Sequence, residues 1–192
     1  MPKNYLSIHA KSFNWAGFFL PRKTYKNCSV LYDFCRTLDD TADQELELNI
    51  KIKKFKEFKD IFKNKDFNNQ IIKNMHELID DFGISKIIVY DLFDGVESDL
   101  KKEVIISSKK ELLIYAYRVA GTVGLMMAKI LNVKKENSLK AAIDLGIAMQ
   151  LTNITRDVVE DNKKNRKYIH GNFDSIKNTL ILADNFYKSS FT

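Results

Sequence analysis

The sequence predicts an all-α domain. Proline and glycine are scarce, two and seven among 192 residues, which suits long helices better than a sheet with many turns. Apolar residues recur at steps of three and four over most of the chain, and no stretch alternates as a half-buried strand would. Apolar residues make up 45% and charged residues 29%, the composition of an ordinary globular protein. There is no linker, low-complexity tract or internal repeat, so residues 1–192 read as one domain with a sizeable core.

The elements follow in order. A short apolar run, 13–20, ends at Pro21, which marks a turn. Thr24 is placed to cap a helix over 24–43 whose inner face is Tyr25, Cys28, Leu31, Cys35 and Leu38. A second helix, 45–62, carries Leu48, Ile52, Phe55, Phe58 and Phe62 on one side. A third, 69–82, stops before Gly83, a C-cap residue, and a fourth spans 85–100. The helix 111–131 has small residues at its middle: Ala120, Gly121, Thr122 and Gly124. The helix 137–161 is apolar nearly all round. The last, 175–191, places Ile176, Leu180, Ala183 and Tyr187 on one stripe.

The formal charge is +6. Much of it comes from lysines set between apolar residues, such as Lys51, Lys53, Lys54, Lys56 and Lys59, which read as a solvated helix face. An anionic substrate or anionic membrane surface is the functional alternative. No helix-turn-helix, zinc-finger or RNP pattern points to nucleic acid. Cys28 and Cys35, the two cysteines, share a helix face without the partners of a metal site; they read as reduced core residues. No run reaches the roughly 18–20 apolar residues of a membrane span; the best, 119–131, is interrupted by Lys129. The N-terminus lacks a signal-peptide apolar region. The expectation is a cytoplasmic protein, soluble or peripheral at the inner membrane face.

Two groups of acids carry the chemistry. Asp39 and Asp43 lie one helical turn apart at a helix C-terminus, where like charges repel and the macrodipole disfavours anions. Such a pair suits Mg²⁺, which takes oxygen ligands and shares them with substrate phosphates; a solvated acidic helix end is the simpler reading of this pair alone. The second group alters the balance. Gln150, Asn153, Asp157 and Asp161 form one polar stripe on an otherwise apolar helix. Buried carboxylates need a cation, so the stripe points to a wet or metal-filled cavity. Two such walls facing each other suit diphosphates bridged by Mg²⁺. Departure of diphosphate leaves an allylic cation, which needs a dry apolar and aromatic cavity. Gly121 and Gly124 fit either a bulky ligand or close helix packing. Asp91, Asp94, Glu97 and Asp99 read as a helix end or loop, with contact to the metal site as the lesser alternative. His9, His76 and His170 show no ligand spacing, although His9 stands close to Lys11 and Ser12.

Four segments resemble the squalene/phytoene synthase family, above all its bacterial phytoene-forming members. They are Lys11-Ser-Phe13, Tyr32 to Asp43 (YDFCRTLDDTAD), Tyr115 to Gly124 (YAYRVAGTVG) and Leu145 to Asp161 (LGIAMQLTNITRDVVED). The resemblance implies an isoprenoid synthase fold, a helical bundle around a central cavity. It implies Mg²⁺, with Mn²⁺ as a substitute, at Asp39, Asp43, Asp157 and Asp161, with Asp40 and Glu160 nearby. Tyr32 and Arg36 join those aspartates as catalytic residues. Gln150, Asn153, Arg156, Arg166 and Tyr168 match residues around the diphosphates, and His9, Lys11 and Ser12 belong with that group. Phe13, Tyr115, Val119, Ala120, Val123 and Gly124 match the prenyl-chain pocket. The implied reaction joins two geranylgeranyl diphosphates head to head through a cyclopropyl diphosphate to phytoene, without NADPH. Alternatives are a squalene- or dehydrosqualene-forming relative acting on farnesyl diphosphate, and a non-catalytic lipid-binding or assembly relative. A head-to-tail elongating enzyme fits less well, because its second motif is usually DDxxD. Family members also continue well past the position of Thr192, so the resemblance implies a C-terminally incomplete domain, with low activity and solubility by itself.

Overall fold

The structure, a computed structural model, describes residues 19–191. Helix α1 (Arg22–Asp43) opens directly after Pro21, whose missing N–H costs nothing at a helix start. Thr24 therefore lies inside the first turn, and no side chain caps this end. Helix α2 (Leu48–Asn64) starts later than its apolar pattern suggests, since the segment after α1 turns first; Lys65 ends it at φ 53°. Helix α3 (Gln70–Phe82) is held at both ends by the residues the sequence offers. The Asn69 side chain accepts from the N–H groups of Ile71 and Ile72, and Gly83 closes the helix at φ 60°. Replacing Asn69 with alanine is expected to cost about 1 kcal/mol. A lower urea midpoint with an unchanged slope would show it; an unmoved midpoint would make the cap redundant.

Helix α4 (Lys86–Glu97) is capped by Ser85 and ends before Leu100, the end its pattern suggests. A two-residue strand β1 (Val104–Ile105) follows. Helix α5 (Lys109–Ala116), capped by Ser108, runs through a π-helical turn (Tyr117–Gly121) into α6 (Thr122–Ile130). Helix α7 (Glu136–Arg156) and the short α8 (Val158–Lys163) are separated at Asp157, with φ −99° and ψ 10°. Strand β2 (Arg166–Lys167) pairs in parallel with β1, Val104 opposite Arg166. The sequence pattern shows neither strand, because two residues are too few to alternate. Helix α9 (Phe173–Ser190) begins at an Asn172 cap and packs along α7. Of its expected inner stripe, Ala183 is buried but Leu180 is exposed; Thr179 takes the second buried position.

Two apolar cores hold these helices. In the first, Leu31, Phe34 and Leu38 of α1 meet Phe55, Phe58 and Phe62 of α2 and Phe93 of α4. Phe34 lies 5.6–5.9 Å from Phe58, Phe62 and Phe93, ring centre to ring centre. His76 stacks on Phe62 at 4.6 Å and bonds its carbonyl oxygen, so it belongs to this core. In the second, Leu112, Tyr115 and Ala116 pack with Ile147, Leu151 and Ile154 of α7 and Ala183 of α9. Lys53, Lys54 and Lys56 are exposed, as a solvated face requires, whereas Lys59 pairs with Glu97 at 2.7 Å and Asp94 at 3.4 Å.

Helices α6 and α7 cross with backbones touching. A Cβ on Gly124 would collide with the Ala142 carbonyl oxygen, and one on Gly146 with that of Ala120. The π turn joins α5 and α6 into one rod, Lys109–Ile130, which by length and composition alone could cross a membrane. Counting uninterrupted apolar residues does not show this. The rod packs against α1, α4 and α7, the position of an internal helix of the bundle.

Candidate active site

The end of α1 and the α7–α8 junction both line a cavity of about 400 Å³, whose acids are Asp39, Asp43, Asp99, Asp157 and Asp161. The helix break at Asp157 does not scatter the polar stripe: Gln150, Asn153, Asp157 and Asp161 all line this space. Crowding acids here perturbs them. Burial, reinforced by the Asp43 charge, pushes the Asp39 carboxyl up to about 7. Burial also pushes Asp161 up to about 6; Asp157 adds to the rise while Arg166 opposes it. Asp157 goes the other way because Arg156 donates to both its oxygens at 2.6 Å.

Arginines hold the walls in this form. Arg166, brought in by β2, donates from Nη1 to Asp43 at 2.7 Å and from Nη2 to the Ala42 carbonyl at 3.2 Å. Its side chain is 11% exposed. Burial works against its charge, yet the Asp99 carboxylate and other neighbours more than compensate and raise its pKa. Arg36 pairs with Asp40 at 3.0 Å, while its buried Nε has no hydrogen-bond partner. Among the described residues, no three acidic, His or Cys side chains are gathered into a ready metal-holding group. The carboxylates share one cavity, and two of them, Asp43 and Asp157, are paired with guanidinium groups.

A second cavity, of about 530 Å³, adjoins the first: both are lined by Arg36, Asp39, Val119, Gln150 and Asn153. Its other lining is mostly apolar, with Tyr32, Cys35, Ala120, Val123, Gly124 and Met127 among its residues. Leu145 and Met149 of α7 also line it and are 40% and 37% exposed. This explains why α7 is apolar nearly all round. One side packs in the core and another faces the cavity.

The structure thus brings Asp39, Asp43, Asp157, Asp161, Arg36, Gln150, Asn153, Arg156, Arg166 and Tyr168 to the acidic cavity, and Tyr32, Val119, Ala120, Val123 and Gly124 to the apolar one. Tyr115 departs from its expected place in the chain pocket. It lines the acidic cavity, donating its hydroxyl to Asp99 at 2.8 Å. Asp40 and Glu160 line neither cavity. His9, Lys11, Ser12 and Phe13 lie outside the described residues. Asp99, which the sequence places in a helix end or loop with contact to the metal site only as the lesser reading, lines the acidic cavity. Its neighbours offer the missing signal: Asp91, Asp94 and Glu97 sit at steps of three on α4, and Asp99 falls beyond the helix end. Asp91 accepts from Tyr117 at 3.2 Å, and Asp94 and Glu97 bind Lys59.

Helices gathered in this way around an acidic and an apolar cavity form the isoprenoid synthase fold. A crystal structure of a dehydrosqualene synthase matches with a TM-score of 0.83 and 25% identity, covering 97% of this chain and 73% of that one. Squalene synthase HpnC from Alicyclobacillus acidocaldarius shares the fold at a TM-score of 0.76 and 16% identity, over 96% of this chain and 76% of its own. The sequence profile of the Squalene/phytoene synthase family matches residues 6–170, and the chain belongs to that family. The 15-cis-phytoene synthase of Pantoea ananas is 29% identical over 182 residues, 85% of this chain and 57% of its own length. The 4,4'-diapophytoene synthase of Staphylococcus haemolyticus is 32% identical over 165 residues, 83% and 58%. The chain therefore spans little more than half the length of these curated relatives.

Proposed function

We propose that the protein is a prenyl synthase that condenses two geranylgeranyl diphosphates head to head, through a cyclopropyl diphosphate, to phytoene. One observation carries the reading: a cavity rich in carboxylates and guanidinium groups opens, through shared lining residues, into an apolar cavity. An isoprenoid diphosphate has the same division into a charged head and an apolar tail. Similarity to the Pantoea phytoene synthase supports the choice of product.

The residues fit Mg²⁺ as the bound ion. All the acidic donors are hard oxygens, and Mg²⁺ commonly binds through one or two carboxylates plus substrate phosphates rather than an all-protein cage. Burial raises the Asp39 and Asp161 pKa values, and a bound cation would favour their charged forms. Asp39, Asp43, Asp157 and Asp161 would hold the ion, which neutralises the departing diphosphate when bound. Arg36, Arg156 and Arg166 would hold the diphosphate oxygens, for which guanidinium groups are well shaped. Val119, Ala120 and Val123 would keep water from the allylic cation. No NADPH enters this scheme.

The diapophytoene synthase relative and the dehydrosqualene synthase structure favour a second reading, in which the substrate is farnesyl diphosphate. Incubating the purified protein with each diphosphate, with and without Mg²⁺ and NADPH, separates the two. A C40 hydrocarbon from geranylgeranyl diphosphate, dependent on Mg²⁺ and indifferent to NADPH, is the expected product. A C30 product alone selects the second reading, and no product from either overturns both.

A further inference from the structure

Asp99 stands apart from both aspartate motifs, on the segment between α4 and β1, yet it lines the acidic cavity. Its two oxygens accept from two phenols: Oδ2 from Tyr115 and Oδ1 from Tyr168, each at 2.8 Å. The two hydroxyl oxygens are 3.0 Å apart, and the rings stack with centres 4.7 Å apart and planes 22° apart. The same carboxylate attracts the Arg166 guanidinium. One side chain thus fixes two phenols, one from α5 and one from the residue beyond β2, beside a guanidinium that is itself bonded to Asp43.

A carboxylate in this position is unfavourable in two respects. Removing it from water costs free energy, and its charge repels any anion entering the cavity. On charge alone, deleting it would improve anion binding. The geometry supplies the compensating benefit, since Arg166, Tyr115 and Tyr168 are held as an ordered wall of the cavity. We infer that Asp99 is a positioning residue, acting through Tyr115 and Tyr168 to hold, beside Arg166, the wall against which a diphosphate is bound. The inference rests on the reading of the acidic cavity as a diphosphate site.

The test is Asp99→Asn, which removes the charge and keeps the shape, with inorganic pyrophosphate and Mg²⁺ as the probe in titration calorimetry. Positioning predicts about tenfold weaker pyrophosphate binding, with half-saturating Mg²⁺ unchanged. Binding as tight as in the wild type, or tighter, overturns the inference and leaves the diphosphate reading intact. A matching rise in the Mg²⁺ requirement also overturns it, because Asp99 would then be a metal ligand. Failure of the wild type itself to bind pyrophosphate sinks the diphosphate reading and this inference with it. If Asp99→Asn fails to fold by circular dichroism, Tyr168→Phe carries the test, since it keeps the carboxylate and removes one positioned hydroxyl. Several-fold weaker binding is expected there, and unchanged binding overturns the inference.

Discussion

Asp39→Asn is expected to abolish turnover while making the protein harder to unfold. The loss of activity follows from the proposed metal site. Asparagine keeps the shape but loses the charge, and removing one charged ligand from a diphosphate-binding site costs several kcal/mol of transition-state stabilisation, about a thousandfold in rate. The gain in stability follows from burial. The Asp39 carboxyl, pushed up to about 7, holds its proton more tightly in the folded chain than in the unfolded one, where it titrates near 4. Its contribution to stability is therefore full below about pH 4, and it is lost as pH rises through about 7. The thermal midpoint of the wild type should decline across that interval, and the Asn variant should decline less. At pH 8 the variant should melt a few degrees higher. Mg²⁺ with pyrophosphate should stabilise the wild type by mass action and the variant far less. A variant that turns over normally, or melts lower at pH 8, would falsify the account of Asp39.

Gly124→Ala and Gly146→Ala should each destabilise the fold by about 1–3 kcal/mol or more, although alanine is the better helix former by about 1 kcal/mol. The added methyl would run into a carbonyl oxygen of the facing helix at either site, and backbone cannot step aside as a side-chain tip can. Gly171→Ala is the control, since its nearest neighbour would be a Val158 methyl at 3.3 Å. Denaturant midpoints for the three variants test this directly, and equal midpoints would show that α6 and α7 can move apart freely. Gly124 also lines the apolar cavity, so its close packing leaves the pocket role open as well. A bulky residue there tests packing before it tests the pocket. Val123, which Gly124 follows in the cavity lining, is the better position for obstructing a chain.

Much of this was legible because helix periodicity records burial. Leu31, Leu38, Phe55, Phe58 and Phe62 are spaced for one face and are buried there. The polar stripe from Gln150 to Asp161 survives as one cavity lining because it is defined by spacing, and the break at Asp157 shifts it little. What stayed hidden depends on contacts between segments distant in sequence. Val104 pairs with Arg166 through backbone groups, which no side-chain pattern encodes. Asp99 gains its place from Tyr115 and Tyr168, sixteen and sixty-nine residues away. Arg166 was legible as a motif residue, but not as the bridge to Asp43.

The π turn at Tyr117–Gly121 has a consequence for how this helix can vary. A regular helix turns about 100° per residue, so residues four apart share a face. A π turn takes up an extra residue and resets that phase midway. Before it, Tyr115 faces the acids; after it, Val123 and Gly124 face the apolar cavity. Deleting one residue between them would restore regular hydrogen bonding and rotate one half of the rod against the other. Phenol and pocket could not then both keep their directions. A change in the length of this segment should therefore disturb both cavities at once, whereas a substitution acts only at its own position.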